Sequence, residues 1–182
     1  MDALTALQTR TATPRLVEPA PSGADLDAII KAGLRAPDHG MLRPWRFLLV
    51  EGKMRAKLGE LFVDALQPQT QEQKDKLLAA PLRAPLVIIC VATIKEHPKV
   101  PPVEQIASMA AAIQNMSVAI HALGYGSIWR TGPVSQSNAV KHALGFSDRD
   151  EIVGFLYAGT PTFTDRPVPE HDQGVYVEHW QV

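Results

Sequence analysis

The run from Val103 to Leu123 is small and apolar around most of a helical circumference: Ala107, Met109, Ala110, Ala111, Ala112, Ile113, Met116, Ala119 and Ile120 leave little polar face. A helix of that composition must be covered on nearly every side, so it is central to the fold or lies in an interface between chains. Packing alone explains its stripe of Met and Ala, with no cofactor needed. Gly124 is suited to end the helix, because glycine takes the conformation that closes helices at no steric cost. The chain then passes Tyr125 and Gly126, a flexible point, into a short apolar strand, Ser127-Ile128-Trp129-Arg130-Thr131-Gly132. That strand carries an indole, a guanidinium and a hydroxyl, and the segment can set backbone and cation against one face of a flat, charged ligand.

Around this helix the pattern alternates. Asp2 caps a first helix that shows Leu4 and Leu7 on one face and stops before Pro14, leaving Arg10 and Thr11 near its end. Ser22 with Asp25 resembles a capping box, and Leu26, Ile29, Ile30 and Gly33 recur at helical spacing until Pro37. After the loop Asp38 to Pro44, Trp45 to Val50 is predicted as a strand. Met54, Leu58, Leu61, Phe62, Ala65 and Leu66 mark another amphipathic helix, and the polar stretch from Gln67 to Lys76 is read as a lid-like surface segment. Leu86 to Ala92 is a buried strand, Asn138 to Leu144 a short helix stopped by Gly145, and Ile152 to Gly159 a further strand. Three or four strands with at least five helices result. The tail from Pro161 to Val182 is too polar and proline-broken to fold alone, yet Val175 to Trp180 alternates like a strand, so it is expected to dock elsewhere, for instance on another subunit.

The 182 residues suit one domain, or one subunit of an intertwined oligomer. Eighteen basic residues against nineteen acidic ones give a net charge of −1 with no basic stripe, which argues against nucleic acid as a partner. No basic leader precedes an apolar block, and no apolar run reaches the ~20 residues that span a bilayer, so a soluble cytoplasmic protein without membrane partners is expected. The single cysteine, Cys90, sits inside the Leu86 strand as a small hydrophobe; one cysteine allows neither an intrachain disulfide nor a CxxC site. The six histidines lack close ligand spacing, so no metal is expected. No internal repeat is visible.

Arg10, Arg35 and Arg130 each fall at a predicted element boundary, where side chains from separate parts of the chain can converge. A guanidinium is a permanent, bidentate partner for phosphate or for the carbonyl edge of a heterocycle. Singly, each has an ordinary explanation: a lone surface arginine is a solvated charge, Trp129 a core aromatic, His39 a loop residue satisfied by local hydrogen bonds.

Three blocks lift these residues above that. Arg10-Thr11-Ala12-Thr13-Pro14-Arg15-Leu16, Arg35-Ala36-Pro37-Asp38-His39 with Arg43-Pro44-Trp45, and Gly124-Tyr125-Gly126-Ser127-Ile128-Trp129-Arg130-Thr131-Gly132 resemble the signature blocks of the FMN-dependent nitroreductase family, most of all its short YdjA-type branch. Ile152 to Tyr157 and Gly159-Thr160-Pro161 extend the resemblance over nearly the whole chain. It implies a single α+β domain, a mainly antiparallel central sheet surrounded by helices, paired into an intertwined homodimer with FMN at the interface and the tail from about 161 to 182 docking on the partner. By position it implies that Arg10, Thr11 and Ala12 line the FMN phosphate and ribityl side in one subunit, with Trp129, Arg130 and Thr131 from the same subunit and Arg35 and His39 from the other. It places a nicotinamide region at Ala119, Ile120, His121, Ala122, Leu123 and Gly124.

The implied activity is an NAD(P)H oxidoreductase that moves hydride to flavin N5 and then reduces a nitroaromatic, quinone-like or other electron-poor small molecule. No side chain need act as nucleophile, since the chemistry resides on FMN. NADH and NADPH both remain open as donors. The chain departs from the family pattern in its first block, often Arg-Arg-Ser, where Thr11 and Ala12 stand; Arg166 in the tail is a candidate to compensate. Gly40 and Met41 depart in the loop before Pro44-Trp45, where the substrate pocket is expected to change. These departures keep open an alternative, an FMN-binding redox module with little turnover, and a third reading, flavin-dependent dehalogenation or flavin breakdown, for which the Gln67 to Lys76 segment shows no identifiable lid features.

Overall fold

The computed structural model describes residues 1–163 and 167–181. In chain order the elements are α1 (Ala3–Thr9), β1 (Leu16–Val17), α2 (Gly23–Gly33), β2 (Trp45–Glu51), α3 (Met54–Leu66), α4 (Gln71–Ala79), β3 (Leu86–Ala92), α5 (Pro102–Ala122), β4 (Gly126–Arg130), α6 (Pro133–Gln136), α7 (Asn138–Ala143) and β5 (Glu151–Pro161). All the strand pairs are antiparallel: β5 pairs with β1, β3 and β4, and β3 pairs with β2. The α+β class and the antiparallel sheet wrapped by helices are as expected from the sequence.

The unbroken apolar run of β3 has a direct cause. Every residue from Leu86 to Ala92 is buried, because both faces of the strand are covered. Leu86, Ile88 and Cys90 face α5 and α2, packing with Met109, Ile113, Met116, Ile120 and Ile29. Val87, Ile89 and Val91 face α3 and α7, packing with Leu58, Phe62 and Val140. Phe62 meets Phe155 of β5 edge to face, with ring centroids 5.5 Å apart. Burial raises the Cys90 thiol far above its ordinary range, which makes it inert, as its apolar setting suggested. The long apolar helix is thus central: α5 lies on one face of the sheet, packed against α2.

Several local expectations are corrected. Ser22 caps α2 by position but makes no side-chain cap bond, and the Asp25 carboxylate instead accepts from the Tyr125 hydroxyl at 3.0 Å. The helix ends at Gly33, before Pro37. Gln67 to Lys76, read as a lid-like surface segment, carries a surface helix: Thr70 caps α4 by accepting from the Gln73 N–H, and α4 packs on α3. The strand pattern of Val175 to Trp180 forms no strand among the described residues; a short 3-10 turn covers Gln173–Val175, and Trp180 is 88% exposed. Of the α1 face, Leu4 and Leu7 are exposed and only Ala6 is buried.

Candidate functional site

The first block lies where two helices end. Arg10 is the C-cap of α1, its N–H bonded to the Ala6 carbonyl, and the Thr9 hydroxyl meets His121 Nε2 at 2.9 Å in the last turn of α5. Burial and then the nearby Arg10 charge lower the His121 pKa, so the imidazole is held neutral. Arg10 itself pairs with no carboxylate among the described residues. It opens on a cleft of about 620 Å³, with Gln8, Arg10, Thr11 and Ala12 on one wall and Pro167 to Pro169 and His171 of the tail on the other. Among the described residues no acid lines this cleft.

Thr11 also borders a smaller hollow that includes Thr13, His121, Gly124 and Ser127. The Thr13 N–H donates to the Ser127 carbonyl at 2.8 Å, so the first and third sequence blocks are brought together. Gly126, expected as a flexible point, matters here for close approach: an added Cβ would lie 2.8 Å from Leu16 and 3.0 Å from Thr13. Gly124 does end the helix in the expected way, at φ +87°. Of the nicotinamide region, Ile120 is sealed in the core, Ala119, His121 and Ala122 are half-buried, and only Leu123 and Gly124 are open.

Along β4, alternation sends Trp129 and Arg130 to opposite faces. Trp129 is 40% exposed, lies over Gly154 and donates from Nε1 to the Val153 carbonyl at 3.2 Å. Arg130 turns to the other side, its guanidinium 6.0 Å from the Tyr157 ring centroid, and its Nε is buried without an acceptor. Burial raises the Tyr157 phenol, with Arg130 and Arg83 pulling the other way, so it stays neutral. Thr131 is exposed just after the strand. One ligand can therefore meet the side chain of Trp129 or of Arg130, and the other residue through its backbone.

Arg35 and His39 are elsewhere. Arg35 is exposed after α2, and His39 Nδ1 binds the Glu104 carboxylate at 2.6 Å in the first turn of α5. His121 marks the opposite end of that 21-residue helix, so the His39 pair and the Arg10 cleft stand roughly 25 Å apart at about 1.5 Å per residue. One chain does not join the second block to the other two. The loop after His39 holds two non-glycine residues at positive φ, Met41 and Arg43, both at 51°. The Asp38 carboxylate stabilises this shape by accepting from the N–H groups of Leu42 and Arg43, and Lys95 Nζ donates to the Leu42 carbonyl. Strain of this kind costs on the order of 1 kcal/mol per residue and is concentrated at functional loops.

Sequence reasoning missed Glu104, Tyr157 and His171. An acid in the first turn of a helix is ordinary, so nothing in the sequence sets Glu104 apart until the fold lays it beside His39. Arg166 lies outside the described residues. No group of three His, Cys, Asp or Glu among the described residues is placed to hold a metal, and no helix among them is long and apolar enough to cross a membrane.

The family profile described as "Nitroreductase family" matches residues 14–160. Among curated proteins, Escherichia coli K12 "Putative NAD(P)H nitroreductase YdjA" is 44% identical over 163 residues, covering 88% of this chain and 89% of that one. A Haemophilus influenzae protein of the same name without the final word is 35% identical, again over 88% of this chain and 89% of its own. Among solved structures, a nitroreductase-like family protein from Bacillus cereus superposes with a TM-score of 0.84 at 20% identity, covering 100% of this chain and 97% of that one. A nitroreductase with bound FMN from Bacteroides fragilis gives a TM-score of 0.72 at 18% identity, with 100% of both chains covered. At these identities the structures speak for the fold, and the profile and the curated relatives for descent: the chain belongs to the nitroreductase family.

Proposed function

We propose that the protein is a cytoplasmic FMN-dependent NAD(P)H oxidoreductase, a homodimer with FMN at the interface, that reduces nitroaromatic, quinone-like or other electron-poor small molecules. The observation that carries this reading is the separation of the half-sites. The Arg10 cleft and the Gly124 turn meet at one end of α5, while His39 and Glu104 stand at the other. A complete site on the family pattern needs both ends, which two chains can supply and one cannot.

The residues suit the cofactor. A cleft whose described lining holds a guanidinium and no carboxylate favours a phosphate. The buried Arg130 Nε is an orphaned donor costing about 1–3 kcal/mol, a cost that a bound acceptor relieves. When bound, FMN supplies hydride transfer at N5 between NAD(P)H and the acceptor. The chain's own part is positional and electrostatic. Arg10 and the Thr11 hydroxyl bind the anionic end, and Arg130 offers positive charge and an N–H. The Glu104 carboxylate accepts a hydrogen bond from His39 Nδ1, which fixes the ring. Thr11 and Ala12, where a second cation and a serine hydroxyl are common, favour the second reading, an FMN-binding module that turns over slowly.

One experiment separates the readings. The purified protein is expected to be yellow, to release FMN on denaturation, and to bleach rapidly when mixed with NADH or NADPH in a stopped-flow spectrometer. Bound FMN that neither nucleotide bleaches supports the slow module. A colourless protein that takes up no added FMN refutes both.

A further inference from the structure

We propose that His171, in the C-terminal tail, is a second phosphate-binding residue of the Arg10 cleft and stands in for the cation that Thr11 does not provide. The inference rests on the FMN reading above. His171 is the only titratable side chain that the tail presents to the cleft among the described residues, and it faces the wall formed by Arg10, Thr11 and Ala12. Its imidazole is set edge-on to Tyr176, with ring centroids 6.0 Å apart, so the ring is braced by its own segment. The neighbouring Asp172 carboxylate is occupied, accepting from the Gly174 N–H at 3.0 Å, and it does not line the cleft. His171 makes no hydrogen bond or ion pair with the described residues, which leaves both ring nitrogens for a ligand.

The chemistry matches what the first block lacks. An imidazole donates an N–H in either protonation state and adds a positive charge when protonated. Arg10 and His171 line the same cleft from different parts of the chain, so a phosphate bound there would have a guanidinium and an imidazole available as separate donors.

The test compares FMN with riboflavin, which lacks only the phosphate, binding to the full chain freed of flavin, by quenching of flavin fluorescence. His171→Ala is expected to weaken FMN about tenfold, the loss of one charge-assisted hydrogen bond, and to leave riboflavin unchanged. His171→Asp should weaken FMN further, and His171→Arg should restore it. FMN affinity unchanged in His171→Ala, or FMN and riboflavin weakened in parallel, overturns the proposal while leaving the FMN reading intact. A wild-type chain that binds neither flavin sinks the FMN reading, and this one with it.

Discussion

Gly154→Ala tests how Trp129 is seated. A Cβ at position 154 would lie 2.0 Å from Trp129 Nε1, 2.5 Å from its Cδ1 and 3.0 Å from the Arg130 carbonyl oxygen. The last contact is relieved by a few tenths of an ångström, but the first is not: the indole has to leave the β5 surface. It then loses its hydrogen bond to the Val153 carbonyl, worth about 1 kcal/mol. With Trp129 40% exposed, roughly 150 Å² of the residue is covered, and losing half of that cover costs about 2 kcal/mol at ~25 cal/mol/Å². Replacing a strand-interior glycine returns ~0.5–1 kcal/mol. The net expectation is a loss of about 2 kcal/mol in urea unfolding followed by circular dichroism. In a Trp129→Ala background the same change should be neutral or slightly stabilising, giving a coupling of about 2 kcal/mol in the double-mutant cycle. A Gly154→Ala variant within ~0.5 kcal/mol of wild type in both backgrounds would refute the seating.

Lys141 is 4% exposed and gives its ammonium to the carbonyls of Asp148 and Asp150, 3.6 Å from Glu151. Lys141→Met keeps the volume and strands those carbonyls, so it should cost about 2 kcal/mol in urea unfolding, Glu151 adding little because it is half solvated; equal or greater stability would mean that burying the ammonium outweighs its bonds. His121 has a folded pKa below its ordinary 6.5, so its neutral form stabilises the fold above that pH and the contribution is lost as pH falls through the folded value. Unfolding free energy should therefore drop more steeply between pH 7 and 5 in wild type than in His121→Gln, and parallel curves would contradict the burial of a neutral ring. If FMN needs both ends of α5, binding and dimerisation are linked, so dilution should release flavin and added FMN should tighten the dimer in sedimentation; a monomer that binds FMN equally well would break the two-chain site.

What was legible in the sequence followed from patterns with one cheap physical solution. The seven buried positions of β3, the small apolar circumference of α5 and the glycine that ends it each specify an element without knowledge of neighbours. α4 was not legible, because its stability comes from a Thr70 cap and from packing on α3, and a helix with no buried residue leaves no apolar stripe to read. The tail pattern misled for the opposite reason: alternation at Val175 to Trp180 makes a strand only where it pairs with an edge, and among the described residues the tail pairs with none, although β2 ends the sheet with β3 as its one partner. Arg10 and Gly124 could be joined in advance only through the family blocks. The bond from Thr13 to Ser127 and the close approach at Gly126 are tertiary facts that no spacing announces.

The electrostatics of the Arg10 cleft also explain why its side chains matter more than its helices. Anion sites are commonly built on helix N-termini, whose free N–H groups attract negative charge. Here the two nearest helix ends are C-termini, at Thr9 of α1 and Ala122 of α5, which carry partial negative charge and each disfavour an anion by about 0.3–1 kcal/mol. A guanidinium hydrogen bond contributes about 1.5–3 kcal/mol, so Arg10 does little more than offset the two helix ends. Burial, and after it the Arg10 charge, keeps His121 neutral, so the imidazole adds no second fixed cation beside Arg10. If this cleft takes the FMN phosphate, most of the net affinity has to come from donors added to Arg10. In a chain with Thr11 and Ala12 where relatives often have a cation and a hydroxyl, Gln8 and the Thr11 hydroxyl add neutral donors on the Arg10 wall, and an additional cation would come from the tail wall that carries His171.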